Sequence, residues 1–460
     1  MTHPADLPAT ALIDLYRAKA LSPVEVVKAV LQRAEALEPV FNAFRLLDAK
    51  GAIEEARGSE ARWLRSEPRG LLDGVPVAFK DLLDVRGWPT RRGSLATTDR
   101  PAPDDAPAAA RLRESGAIFL GKTNTAEFGW KSVTESALAG ITRNPWNRDH
   151  TPTGSSGGAA AAAALGLGPL HVGTDGGGSI RIPASACGVF GLKPSYGRVP
   201  GHPAAYNGTM FHIGPITRTV ADAALLLNVI TGYDARDWTS LPPDDRDWRA
   251  GLAGGVRGLR IAYSRTLGHV KVDASILSIV DRAVETFSEL GATVAHVDPG
   301  FDDSKAIRIA YAAERAARLR ADISPDRYPL VDAQIRDAVE RADRYALADY
   351  VAAMDGRMDL AIRMRRFHER YDLLLTPTMA APVPKVGTQA DGSLCVPFNL
   401  TQQPAASVPC GVDEHGLPVG LQIVGPPHRD DLVLRAAHAY ELAHPFRAPP
   451  GQRESPRRPV

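Results

Sequence analysis

Residues 151–195 constrain the fold of this chain more than any other segment: TPTGSSGGAAAAAALGLGPLHVGTDGGGSIRIPASACGVFGLKPS. Two Ser–Gly clusters flank an alanine-rich stretch. Alanine has the best intrinsic helix propensity, so a helix is predicted over 159–165. Its small side chains let it pack tightly against neighbours. In the second cluster, Gly176-Gly177-Gly178-Ser179, three glycines can take backbone angles closed to other residues. Such a turn can aim several N–H groups at one point beside the serine hydroxyl, which is what a developing oxyanion needs. By itself, though, such a string more often marks a tight turn with a surface serine.

A serine nucleophile needs a base. Lys80 directly follows the apolar run 75–79, VPVAF, a candidate for a short buried strand, and precedes Asp81. A lysine at the end of a buried strand is partly desolvated, which lowers its pKa and lets it act as a base. The alternative is a surface lysine paired with Asp81.

Strands and helices alternate along the chain. Ser22-Pro23-Val24-Glu25 reads as a helix start with an N-cap, a proline at the first helical position and a capping-box glutamate. The runs 117–120, 259–263, 293–297, 373–375 and 421–424 read as strands, and 273–290 as a helix that Gly291 ends. This alternation predicts an α/β fold with a largely parallel sheet. Loops are expected at 101–107 and 241–249.

With 54 basic and 53 acidic residues the net charge is +1. That balance gives no field to attract nucleic acid or an anionic membrane. Three cysteines at wide spacing, Cys187, Cys395 and Cys410, support neither a disulfide framework nor a zinc site. They fit a reducing cytoplasm. The first twenty residues lack the pattern of a signal peptide. The run 157–170 is mostly Ala and Gly and too short to span a bilayer.

Two further strings match known motifs and are set aside. Residues 116–123, GAIFLGKT, fit the P-loop expression, but the residues that should form a phosphate-cradling loop are apolar and read as a strand. Residues 154–158, GSSGG, fit a nucleophile elbow centred on Ser156, but the preceding 143–153 are polar, contain two prolines and read as loop. An esterase triad of Ser156 with His428 and Asp430 is the weaker alternative.

Taken together, several strings resemble the amidase signature family: Gly74-Val75-Pro76-Val77 leading to Lys80-Asp81, Gly121-Lys122-Thr123-Asn124, Arg143-Asn144-Pro145-Trp146, 154–158, 173–181, 191–194, Gly214-Pro215, Thr376-Pro377 and 416–425. The resemblance runs from about residue 20 to 445. It implies an α/β amidase signature fold, with a central mixed, largely parallel sheet covered by helices on both faces. It implies a Ser–cis-Ser–Lys triad of Ser179 (nucleophile), Ser155 (bridge, after a cis peptide bond) and Lys80 (base). The oxyanion donors would be the N–H groups of Gly176, Gly177, Gly178 and Ser179. No metal and no cofactor are implied. One departure is Thr153, where the family usually has glycine; this bears on the local loop shape.

The domain expectation is an N-terminal helical segment at 1–60 packed on the core, a catalytic domain at 61–447 and a disordered tail at 448–460. Phe128 and Trp130 are candidates to line a substrate pocket, or else ordinary core aromatics. Residues 201–213 and 310–350 are expected to shape the pocket. The implied partner is a small amide-type substrate, with aryl amides, carbamates or urethanes and esters all open, and no nucleic acid or membrane. A homo-oligomer is left open. The family also contains the glutamine-hydrolysing component of tRNA-dependent amidotransferases. The strings 124–136 and 398–407 look more like those of stand-alone amidases.

Overall fold

The N-terminal helix pair forms as its caps dictate. The computed structural model describes residues 3–301 and 305–453. Helix α1 spans Ala9–Arg17 and α2 spans Pro23–Phe41. At the start of α2 the Ser22 hydroxyl accepts from Val24 N (3.0 Å), and Ser22 N donates to the Glu25 carboxylate (2.8 Å). Both orphan donors are thus satisfied. Asn42, at φ +49°, ends the helix in the left-handed region. Val26, Val27, Val30, Ala34, Leu37 and Phe41 face inward. The segment expected to be wholly helical also carries a strand, β1 (Phe44–Leu47), before α3 (Ala49–Leu64).

The remaining strands are β2 (Pro76–Lys80), β3 (Ile118–Thr123), the short pair β4 (Glu135–Ser136) and β5 (Gly140–Ile141), β6 (Leu170–Asp175), β7 (Phe190–Lys193), β8 (His212–Thr217), β9 (Arg260–Tyr263), β10 (Thr293–His296), β11 (Leu373–Pro377), β12 (Ala405–Val412) and β13 (Pro418–Val424). All but β4 and β5 join one eleven-stranded sheet, in the order β1-β3-β2-β6-β8-β7-β12-β13-β11-β9-β10. The fold is α/β with a mixed sheet, as expected. Parallel pairs occupy two flanking blocks, β3-β2-β6 and β11-β9-β10. The centre, from β6 through β8, β7, β12 and β13 to β11, is antiparallel. The parallel share is therefore smaller than the alternation suggested. The cause lies in connections such as β12–β13, a hairpin too short for the crossover that a parallel pair requires.

Helices α4 (Pro107–Glu114), α5 (Gly157–Leu165), α6 (Arg181–Cys187), α7 (Val220–Ile230) and α8 (Ala274–Glu289) follow in order. After them come α9 (Lys305–Asp322), α10 (Ala333–Ala342), α11 (Leu347–Arg370), α12 (Val396–Leu400) and α13 (Asp430–Ala443). The alanine-rich α5 is buried along its whole length. Gly158 shows why its residues are small: a Cβ there would stand 2.5 Å from Asn124 N and 2.6 Å from Ala43 O. Backbone thus packs directly on backbone behind β1 and β3.

The tail differs from expectation. Pro450–Arg453 forms a 3-10 turn, Gly451 N donates to Pro145 O (3.1 Å), and Gln452 bonds Asp6 (2.7 Å). Residues 454–460 of that expected tail lie outside the described residues.

Candidate active site

Strand β2 is buried on both sides and carries Lys80 at its end. The Lys80 side chain is fully buried. Its Nζ lies 2.7 Å from Ser155 Oγ, 2.8 Å from Ser156 Oγ and 2.9 Å from Thr174 Oγ1. Among the described residues no carboxylate pairs with it. Asp81, the alternative partner, instead faces Arg45 (3.3 Å) and Lys122 (3.5 Å). Burial holds the Lys80 amine well below the usual lysine range; the charge of Arg315 pushes the same way, and Asp175 opposes. That shift favours the neutral amine, the form that can take a proton.

The two serines beside it differ in freedom. Ser156 Oγ donates to Thr174 O (3.0 Å) and accepts from Thr174 N (3.3 Å) as well as from Lys80. Its hydroxyl is fixed in place. Ser155 Oγ has Lys80 as its one hydrogen-bond partner among the described residues and lines a cavity. It can therefore pass a proton between Lys80 and that cavity. The Gly154–Ser155 peptide bond is cis. Thr153, in the position that departs from the resembled family, sits at φ +59°, in the region that favours glycine. Gly129 closes over the Lys80–Ser155 pair: a Cβ there would lie 2.9 Å from Leu82 and 3.2 Å from Ser155 Oγ.

The second cluster is held by a clamp that the sequence reading did not single out. The Asp175 carboxylate is buried at the end of β6 and pairs with Arg181 through Nε and Nη2, each at 3.0 Å. It also accepts from Gly178 N (2.6 Å), Ile180 N (3.1 Å) and Asn399 Nδ2 (2.9 Å). Arg181 in turn donates to Gln422 and Asn399, each at 2.6 Å. Despite burial, these cationic and N–H donors hold the Asp175 carboxyl far below the usual carboxylate range. The clamp fixes the turn that presents Ser179.

It also changes the expected set of oxyanion donors. The Gly178 N–H points to Asp175 and is not available. The N–H groups of Gly176, Gly177 and Ser179 have no acceptor among the described residues. Ser156 N donates to Ser179 O (3.2 Å), which ties the two clusters together.

Ser179 is half-buried and borders two cavities. One is lined by Leu82, Leu83, Phe128, Phe211 and Ile213 as well as Ser155 and Ser179. The other, about 210 Å³, is bordered by Trp130, Gly177, Ser179, Asn207, Arg315 and Gln389. Phe128 is buried in a cluster with α9 and α10 and packs edge-on against Tyr206. It thus has core contacts as well as a face on the first cavity. Trp130 is half-buried and lies under Arg315.

The two set-aside motifs have other roles. Residues 118–123 are β3 itself, and Lys122 Nζ bonds Leu83 O and Thr90 Oγ1 inside the core. No strand leads directly into Ser156 among the described residues, while Asp430 holds Ser195 (2.7 and 2.8 Å). Among the described residues no helix is long and apolar enough to cross a membrane.

A family model described as Amidase matches residues 25–434. The chain belongs to the amidase signature family. As an amidase it is a hydrolase of carbon–nitrogen bonds. It is 36% identical over 459 residues to an acylamidase of Rhodococcus erythropolis, covering 96% of each. The A component of the glutamyl-tRNA(Gln) amidotransferase from Moorella thermoacetica is 36% identical to this amidase over 468 residues, covering 95% of this chain and 96% of that one. A solved bacterial aryl acylamidase of the same family superposes with a TM-score of 0.88 at 33% identity, over 95% of this amidase and 96% of that chain.

Proposed function

We propose that the chain is a stand-alone serine amidase that cleaves small amides through an acyl-enzyme on Ser179, with Ser155 and Lys80 carrying the proton. One observation carries this reading: the buried, carboxylate-free Lys80 amine lies 2.7 Å from Ser155 Oγ, in the wall of a cavity that Ser179 also lines. Neutral Lys80 accepts the Ser155 proton as Ser155 takes that of Ser179. The Ser179 oxygen then bonds to the substrate carbonyl carbon. The N–H groups of Gly176, Gly177 and Ser179 hold the oxyanion; such donors are worth about 10²–10³ each in rate. As the C–N bond breaks, the relay returns the proton to the leaving nitrogen. Water, deprotonated by the same relay, then releases the acid and restores Ser179.

The Leu82, Leu83, Phe128, Phe211 and Ile213 wall of the first cavity suits an aryl or aliphatic group, so aryl amides lead, with carbamates and esters as neighbouring substrates. The unpaired thiols fit a reducing cytoplasm. The identity to the amidotransferase component favours a second reading, the glutaminase part of a tRNA-dependent amidotransferase. The test is a chromogenic panel of an anilide, an ester, a carbamate and glutamine, run on the purified chain with Ser179→Ala as control. Turnover of a non-glutamine member, lost in the control, is expected. Hydrolysis of glutamine alone, and only with added partner proteins, would move the assignment to the second reading.

A further inference from the structure

The second cavity contains a charge that makes no direct contact with the proton relay proposed above, although it helps to lower the pKa of the Lys80 amine. Arg315 rises from α9, and its guanidinium lies 3.9 Å from the Trp130 ring centroid. Nη2 donates to Phe128 O (3.0 Å). Nε is buried without an acceptor, and no carboxylate pairs with the group among the described residues. Other cations bordering the two cavities are compensated: Lys131 by Asp332 at 2.8 Å, and Arg92 by Asp322 at 2.9 Å. A guanidinium withdrawn from water with donors unused is costly unless an anion completes it. Burial lowers its pKa to about 9, so it still carries its charge at neutral pH.

We infer that Arg315 anchors a carboxylate on one half of the substrate while the apolar half occupies the cavity of Leu82, Phe128 and Phe211. The substrate class is then an amide with an aryl or alkyl group on one side of the scissile bond and a carboxylate on the other. This rests on the amidase reaction proposed at Ser179. The two cavities meet at that serine, so a substrate attacked there extends into both. The planar guanidinium offers a carboxylate two N–H donors in parallel, and the Trp130 face beneath it fixes their direction. Asn207 and Gln389 supply neutral donors around it.

Two matched pairs test the inference: N-phenylsuccinamate against N-phenylpentanamide, and N-benzoylglycine against N-propylbenzamide. The carboxylate lies on the acyl side in the first pair and on the amine side in the second. Charge-assisted hydrogen bonds of this kind correspond to about tenfold to a hundredfold. In at least one pair, the intact enzyme is expected to favour the anionic member by that factor in kcat/KM. Arg315→Met should erase the preference mainly through KM, and Arg315→Lys should keep part of it. Calorimetric binding of the same compounds to Ser179→Ala protein, with and without Arg315→Met, reads the anchor without turnover. If nothing is hydrolysed but the anionic member still binds tighter in an Arg315-dependent way, the reaction assignment fails and the anchor stands. Equal or better use and binding of the neutral member in both pairs, or a preference that survives Arg315→Met, would overturn the inference.

Discussion

Replacing Asp175 by Asn tests the clamp behind the catalytic turn. The change is nearly isosteric, so packing is preserved and the electrostatics are isolated. Asparagine keeps one acceptor oxygen but turns an NH₂ toward donors that now face a carboxylate: Arg181, Gly178 N, Ile180 N and Asn399. The Arg181 guanidinium, fully buried, is left without its counter-charge. Breaking a buried pair from one side costs about 3–5 kcal/mol. With an unfolding entropy near 2.1 cal/mol/K per residue, a chain of this length gains about 1 kcal/mol/K, so the melting temperature should fall by about 3–5 °C. The turn that carries Gly176, Gly177 and Ser179 would also lose its register. Loss of one oxyanion donor alone corresponds to about 10²–10³ in kcat. Thermal melts and steady-state kinetics on an anilide read the two effects separately. The double variant Asp175→Asn/Arg181→Met should be less destabilised than the sum of the singles, because the charges leave together. A single variant within about 1 °C and about threefold of the parent would refute the clamp.

Other outcomes follow from the same geometry. In the proposed mechanism the neutral Lys80 amine is the active form, so kcat should rise with pH to a plateau, with a midpoint below the usual lysine value of 10.5; a flat profile from about pH 5 to 9 on a non-ionising substrate contradicts that role. Ser155→Ala should cost more in kcat than Ser156→Ala, since only the Ser155 hydroxyl is free to move a proton; kinetics on both variants decide, and a reversed order would move the relay to Ser156. Burial raises the Glu38 carboxyl to about 7 although it accepts from Ala43 N and Phe44 N. The folded chain therefore holds that proton more tightly than the unfolded one, and stability from this group should decline as pH rises from about 4.5 to 7, by up to about 3 kcal/mol. Denaturant melts of Glu38→Gln should lack that part of the slope; an unchanged slope would refute it.

Local signals were readable in the sequence where cause and effect lie close together. The Ser22–Glu25 capping box, the apolar run ending in Lys80 and the alanine helix α5 each depend on neighbours along the chain. The strands β6, β7 and β8 were not readable, because Gly173, Gly191, Gly214 and Pro215 interrupt their patterns and burial on both faces removes alternation. The antiparallel centre of the sheet depends on which strands meet, and no single window encodes that. The Asp175–Arg181 pair could have been found from opposite charges bracketing the glycine turn. Its further partners Asn399 and Gln422 are more than 200 residues away in sequence and carry no local mark. Residues 310–350, expected to shape the pocket, are largely the helices α9 and α10 and the start of α11. Arg315 meets Trp130 only through the fold.

Intact-protein mass spectrometry after brief mixing with an activated acyl substrate and an acid quench, followed by peptide mapping, tests the Ser179 assignment most directly. One acyl group per chain is expected, located on Ser179 and absent from Ser179→Ala. An acyl group on Ser155 or Ser156, or full turnover by Ser179→Ala without any adduct, would contradict it.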